Sequence, residues 1–147
     1  VNIRPATAAD CRALAAIDSV CNPSPWSEAQ FAGALANQHE TVLLAEHQGA
    51  VLGFIVWHTL FETSELHLIA TVPEHRGRGI ASAMMAKWFQ TGIEEGATHY
   101  YLEVRASNVN AQALYLKHGF THTGRRRDYY SLPGNRREDA LIMEKTC

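Results

Sequence analysis

A chain of 147 residues has the length of one ordinary domain, enough to bury roughly 70% of the surface its unfolded form would expose, which excludes a mini-protein that needs staples to fold. With 46% hydrophobic and 19% charged residues, ten glycines and five prolines, it is neither collagen-like nor disordered in composition. Thirteen Lys and Arg against fifteen Asp and Glu leave a net charge of −2, without the basic excess that phosphate-backbone binding leaves, so nucleic acid is not the expected ligand.

A short strand is predicted at Asn2 to Arg4. Ala8, Cys11, Leu14, Ala15 and Asp18 then fall at helical spacing between Thr7 and Val20, with Thr7 placed to cap. Asn22-Pro23-Ser24-Pro25 breaks that helix, and Ser27-x-x-Gln30 has the form of a capping box ahead of Phe31, Ala34 and Leu35. Thr41 to Glu46 and Val51 to Leu60 are rich in strand formers and are joined by His47-Gln48-Gly49-Ala50, which predicts an antiparallel hairpin.

Glu65 to Val72 alternates in part, Leu66, Leu68 and Ala70 against His67, Ile69 and Thr71, and stops at Pro73, which has no N–H for a ladder. From Ile80 to Glu95, Met84, Met85, Trp88, Phe89 and Ile93 share one side of a long helix, and Gly96 is its natural C-cap. Tyr100 to Val104 reads as a strand, Asn108 to His118 as a helix closed by Gly119, and Arg127 to Leu132 and Ala140 to Lys145 as two last strands. The expected fold class is therefore α/β with a mixed central sheet, and no repeat or linker divides it, so 1–147 reads as a single domain.

Cys11, Cys21 and Cys147 are odd in number and form no C-x-x-C pair, which suggests neither a disulfide framework nor a zinc knuckle and points to a reducing, cytoplasmic setting. Eight histidines show no ligand spacing, so no metal is expected. The longest apolar stretch, Ala50 to Trp57, is far short of the roughly 20 residues of a membrane span, and no signal pattern opens the chain.

Arg76-Gly77-Arg78-Gly79-Ile80-Ala81 lies between a strand and an amphipathic helix. Two glycines let the backbone turn tightly beside a ligand, and the unpaired N–H groups of the first helical turn favour an anion such as a pyrophosphate. The spacing fits neither the dinucleotide fingerprint nor the Walker form, and a glycine-rich turn with two solvated arginines would have the same composition.

About thirty residues on comes Ser107-Asn108-Val109-Asn110-Ala111 and then Leu114-Tyr115, followed by Gly119-Phe120. Together, R-x-x-G-x-A after a strand and S-x-N-x-x-A-x-x-L-Y-x-x-x-G-F resemble the acetyl-CoA-dependent N-acetyltransferase superfamily known as GNAT. Pro25-Trp26-Ser27-Glu28, Leu102-Glu103-Val104-Arg105, Arg126, Tyr129-Tyr130 and Arg137-Glu138-Asp139-Ala140 resemble its RimI branch, enzymes that acetylate the amino-terminal alanine of a small-subunit ribosomal protein.

The resemblance implies a GNAT fold of six to seven strands and about four helices, acetyl-CoA as cosubstrate, and the amino terminus of that ribosomal protein as acceptor, with no nucleic acid or membrane. It implies that the strand at Ile69, Ala70 and Thr71 splays from its neighbour to pair with the pantetheine arm. It further implies that Gly77, Arg78, Gly79, Ile80, Ala81 and Ser82 wrap the pyrophosphate, with Arg76 adding charge, and that Asn108 contacts the pantetheine region while capping its helix.

A free α-amino group, with a pKa of roughly 7.7–8.0, is mostly protonated at neutral pH, so transfer needs a base and an acid for the departing thiolate. The resemblance gives these roles to Glu103 and Tyr115. By spacing alone, Glu103 is a solvent-facing strand residue, Tyr115 a core aromatic, Asn108 only a cap and residues 69 to 71 ordinary strand. Tyr129-Tyr130 and Arg137 to Asp139 are expected to shape the acceptor site, and Trp26 and Ser27 to border it. None of the cysteines falls in the motifs, which implies direct transfer without a covalent enzyme intermediate. Acetylation of a small amine or lysine side chain, and a non-catalytic CoA-binding module, are the competing functions.

Overall fold

The computed structural model describes residues 1–146, so Cys147 lies outside the described residues. A seven-stranded mixed sheet runs in the order β1-β2-β3-β4-β5-β7-β6, with helices on both faces. The strands are β1 (Asn2–Pro5), β2 (Glu40–His47), β3 (Ala50–Leu60), β4 (Thr63–Thr71), β5 (His99–Arg105), β6 (Thr121–Ser131) and β7 (Arg137–Thr146). The helices are α1 (Cys11–Cys21), α2 (Glu28–Ala36), α3 (Ile80–Glu94) and α4 (Val109–Lys117).

Local chemistry sets the joints. Gln48 and Gly49 both take positive φ, 51° and 79°, and make the two-residue turn that joins β2 to β3 in the right-handed twist of the sheet. The Ser27 hydroxyl accepts the Gln30 N–H at 3.2 Å while the Gln30 side-chain oxygen accepts the Ser27 N–H at 2.8 Å, so the capping box opens α2 as its spacing predicts. Thr7 precedes a short 3-10 turn (Ala8–Asp10) instead of capping α1 directly, and there the Asp10 carboxylate accepts the Thr7 N–H at 2.7 Å.

Strand β3 is buried on both faces, which is why Phe54 to Trp57 read as an unbroken apolar run. Phe54 and Val56 pack with Leu14 and Phe31 under α1 and α2, while Ile55 and Trp57 pack with Met84 and Trp88 under α3. Gly92 is required where α3 crosses β5, since a Cβ there would stand 2.6 Å from the Tyr100 hydroxyl.

Two expectations change. In β4, Val56 pairs with Leu68 but Trp57 pairs with Leu66, leaving His67 as an extra residue. This bulge reverses the side-chain alternation, so Leu66 joins the core under α3 whereas Leu68 and Ala70 pack toward α1 and α2. The three residues do not share one face, as simple alternation predicts. Strand β6 begins at Thr121, well before Arg127, because it is an exposed edge with two register shifts against β7 and shows no buried alternation for a pattern to reveal.

Candidate active site

The site begins where the only parallel pair of the described sheet opens. β4 and β5 pair from Thr63 with His99 to Leu66 with Leu102, and the ladder ends at the His67 bulge. A bulge bends its strand and raises the local twist, which carries the rest of β4 away from β5. Beyond it, the Val72 N–H bonds the Leu52 carbonyl at 2.8 Å. Antiparallel alternation then turns the Ala70 backbone groups toward β3, and those of Ile69 and Thr71 toward the gap. Of the three strand residues, Ile69 and Thr71 therefore offer the free side of the backbone. The Thr71 carbonyl already accepts Arg76 Nε at 3.1 Å and lies 3.6 Å from Cys21 Sγ.

The gap leads into a cavity of about 320 Å³. Ile69 and Ala70 of β4, Glu103 of β5, Asn108 and Tyr115 all line it, so five of the sequence-predicted residues meet from three elements and a cap. Thr71, the last residue of β4, does not line it, and neither do residues 77 to 82, which stand beyond the end of that strand.

Glu103 is mostly shielded from solvent and has a charged neighbour. Its Oε1 accepts Arg126 Nε of β6 at 2.7 Å, and its side chain is 16% exposed against 55% for Arg126. Tyr115 is the buried residue of α4, and no other described residue hydrogen-bonds its hydroxyl. Burial, with a smaller contribution from Tyr130, pushes its phenol well above the ordinary range, so it stays protonated. The Asn108 side chain accepts the Ala111 N–H at 3.2 Å and caps α4.

Beyond β4, Gly77 and Gly79 both take left-handed φ, 76° and 79°, and the space where each Cβ would stand is open. The first helical bond of α3 is from the Ala83 N–H to the Gly79 carbonyl at 3.0 Å, which leaves the N–H groups of Ile80, Ala81 and Ser82 without a carbonyl in the helix. An open ledge of free N–H groups at a helix start fits a pyrophosphate. The two arginines differ, since Arg76 folds back onto Thr71 and Cys21 while Arg78 contacts His75 Nδ1 at 3.3 Å. The Ser82 hydroxyl meets His118 Nε2 at 3.1 Å.

The remaining wall contains residues the motifs did not assign to chemistry. Arg105 sits 4.1 Å over the Tyr130 ring and bonds Glu138 at 3.2 Å, and the same carboxylate accepts the Ser107 N–H. Tyr130 lines the cavity, and burial pushes its phenol up to about 12. Asp139 holds Arg125 at 2.8 Å and the Asp128 N–H at 2.9 Å instead of facing the cavity. Trp26 lines the cavity near His67, whose pKa is raised by its hydrogen bond to Glu65 and further by Glu40.

Cys21 also lines the cavity, although it falls in no motif; only contact across the fold brings it there. Arg126 stands among the residues that resemble the RimI branch, but its pairing with Glu103 of β5, 23 residues away in the chain, is made only by the fold. A second hollow of about 410 Å³, between the β3–β4 turn and Tyr101, contains none of the motif residues.

Comparison with known proteins identifies the family. Residues 11–120 match the Acetyltransferase (GNAT) family. The [ribosomal protein bS18]-alanine N-acetyltransferase of Haemophilus influenzae is 30% identical over 136 residues, covering 92% of each chain. Its Escherichia coli K12 counterpart is 32% identical over 127 residues, covering 86% of this chain and 84% of that one. The crystal structure of the ribosomal-protein-S18-alanine N-acetyltransferase from Escherichia coli superposes with a TM-score of 0.90 at 29% identity, over 99% of this chain and 92% of the other. The chain thus belongs to the GNAT family and is an acetyl-CoA-dependent N-acetyltransferase.

Proposed function

We propose that this enzyme acetylates the α-amino group of an amino-terminal alanine, with the small-subunit ribosomal protein bS18 as acceptor, and that Glu103 and Tyr115 are its proton acceptor and donor. One observation carries the chemical part: a carboxylate from β5 and a protonated phenol from α4 line one cavity at the open end of the β4–β5 pair. The acceptor is supported by relatives at 30% and 32% identity that bear that name.

Bound acetyl-CoA supplies an activated acetyl group. The residues that hold it in this reading are the backbone of Ile69 and Thr71 along the pantetheine arm, Asn108 beside it, and Gly77 to Ser82 around the pyrophosphate. A backbone N–H in the gap polarises the acetyl carbonyl. Glu103 takes a proton from the α-ammonium group, freeing the nitrogen lone pair that forms the new C–N bond. As the C–S bond breaks, Tyr115 gives its hydroxyl proton to the sulfur. The nitrogen sheds its second proton to solvent as the amide forms, Glu103 releases the first to solvent, and the phenolate recovers one proton from solvent, so that one proton is released overall.

Arg126 keeps Glu103 oriented when the amine is absent. Its exposed position lets an arriving ammonium group take its place on the carboxylate. Tyr115, whose hydroxyl has no hydrogen-bond partner among the described residues, is free to hydrogen-bond the sulfur.

The deciding assay follows free thiol release from acetyl-CoA with a short alanine-initiated peptide of the ribosomal protein, the same peptide with a blocked amine, a polyamine and an internal lysine peptide. Release with the free alanine peptide alone supports the reading. Preference for the polyamine or lysine peptide replaces the acceptor while leaving the chemistry, and acetyl-CoA binding without release to any amine supports a non-catalytic module.

A further inference from the structure

Asp18 is a carboxylate the proposed chemistry leaves unused, although it lines the same cavity and is 2% exposed. It occupies the buried stripe of α1 with Cys11 and Leu14, where an apolar side chain would pack without the cost of removing a carboxylate from water. Its hydrogen bond points away from the helix. Oδ2 accepts the Trp26 N–H at 2.7 Å, and the Asn22 side chain favours the charged form of the carboxylate. Asn22 in turn accepts the Ser24 N–H at 3.0 Å through Oδ1.

Both interactions hold the segment between α1 and α2. Residues 22–26 belong to no helix or strand, yet Asn22, Pro23, Ser24 and Trp26 line the cavity. Ordering a backbone residue costs conformational entropy, so a segment without a ladder needs another source of order. Two prolines narrow its freedom, and the Trp26 ring rests 5.3 Å from Phe31. Asp18 adds the tie between this segment and the helix behind it. Burial raises the Asp18 pKa, while the Trp26 N–H and Asn22 oppose the rise.

We propose that Asp18 is a positioning residue that holds residues 22–26 as a preformed wall of the cavity on the α1–α2 face of the sheet, opposite the face of α3 and its glycine ledge, so that an amine arriving from that face meets a fixed surface. The inference rests on the acetyl-transfer reading above. A wall already in its binding arrangement removes the ordering cost from the binding step, and a wall that visits that arrangement part of the time weakens acceptor affinity by that fraction.

Asp18→Ala and Asp18→Asn test this in the full chain. Asp18→Ala is expected to raise the acceptor KM about tenfold while kcat and the calorimetric Kd for acetyl-CoA stay near wild type. Hydrogen exchange at the Trp26 amide accelerates in the same variant. Asp18→Asn keeps an oxygen for that N–H and recovers most of the acceptor KM.

Three results overturn the proposal: an unchanged acceptor KM in Asp18→Ala despite faster exchange, a parallel loss of acetyl-CoA affinity, or Asp18→Asn as impaired as Asp18→Ala. Failure of the wild type to use alanine peptides counts against the acceptor reading alone. The KM for whichever amine is turned over, together with the exchange rate, still decides the role of Asp18.

Discussion

The two halves of β4 lie a few residues apart and are built for different ends. From Thr63 to Leu66 the strand pairs with β3 on one side and β5 on the other, and Ser64 is fully buried with its hydroxyl accepting the Trp88 indole N–H at 2.8 Å. From Leu68 to Thr71 it pairs with β3 alone, and Ile69 and Thr71 turn backbone groups into a gap. The single extra residue at His67 separates them. The comparison teaches that the site is made where the sheet leaves hydrogen bonds unmade, and that the neighbouring closed half supplies the rigidity that keeps the gap open.

If that division is right, changes around the open half alter turnover and spare stability. Glu103→Gln and Tyr115→Phe should each lower kcat by about 10²-fold or more, with acetyl-CoA affinity and Tm close to wild type, as read by thiol release, calorimetry and thermal melting. Unchanged turnover in both variants removes the assigned roles.

A change in the closed half should do the opposite. Ser64→Ala leaves the buried Trp88 N–H without its acceptor and is expected to destabilise the fold by about 1–3 kcal/mol in denaturant titration, with kcat near wild type in the folded protein. Loss of turnover at full stability in this variant would break the comparison.

The smallest effect lies away from both halves, at the β1 edge. Arg4 holds Asp10 at 2.9 Å, and that hydrogen bond, foremost among its causes, lowers the Asp10 pKa from 3.8 to about 2. A carboxylate depressed in the folded state binds fewer protons there than in the unfolded chain. Its stabilisation is complete above the unfolded value and lost as pH falls from about 4 through about 2. Asp10→Asn should remove that part of the acid dependence of unfolding and leave kcat at neutral pH unchanged.

Much of the site could be read from residues in order. The Ser27–Gln30 box, the Asn108 cap and the Gly77–Gly79 turn act within one turn of chain, so their chemistry is carried by neighbours in sequence. The placement of Asp18 at helical spacing with Cys11 and Leu14 correctly put it on the buried stripe. What could not be read was its partner, since the Trp26 N–H meets it only after the chain reverses at Pro23 and Pro25.

The bulge was equally hidden, because His67 differs from a regular strand residue only in the register of β3 against β4. Strand β6 was recognised only in its second half for a related reason. It is an edge strand, and a polar, exposed strand lacks the alternation that burial imposes.

By itself the sequence determined the element types, the glycine ledge, the helix caps and the two motif halves whose joint spacing resembles one superfamily, because propensity, capping and left-handed turns are local properties of the chain. Only the tertiary structure decided that the parallel pair opens after Leu66, that Glu103 meets Arg126, and that Asp18, Tyr115 and Tyr130 share a cavity. Each of these depends on how distant strands register and on which groups are thereby removed from water, and neither is fixed until the sheet has formed.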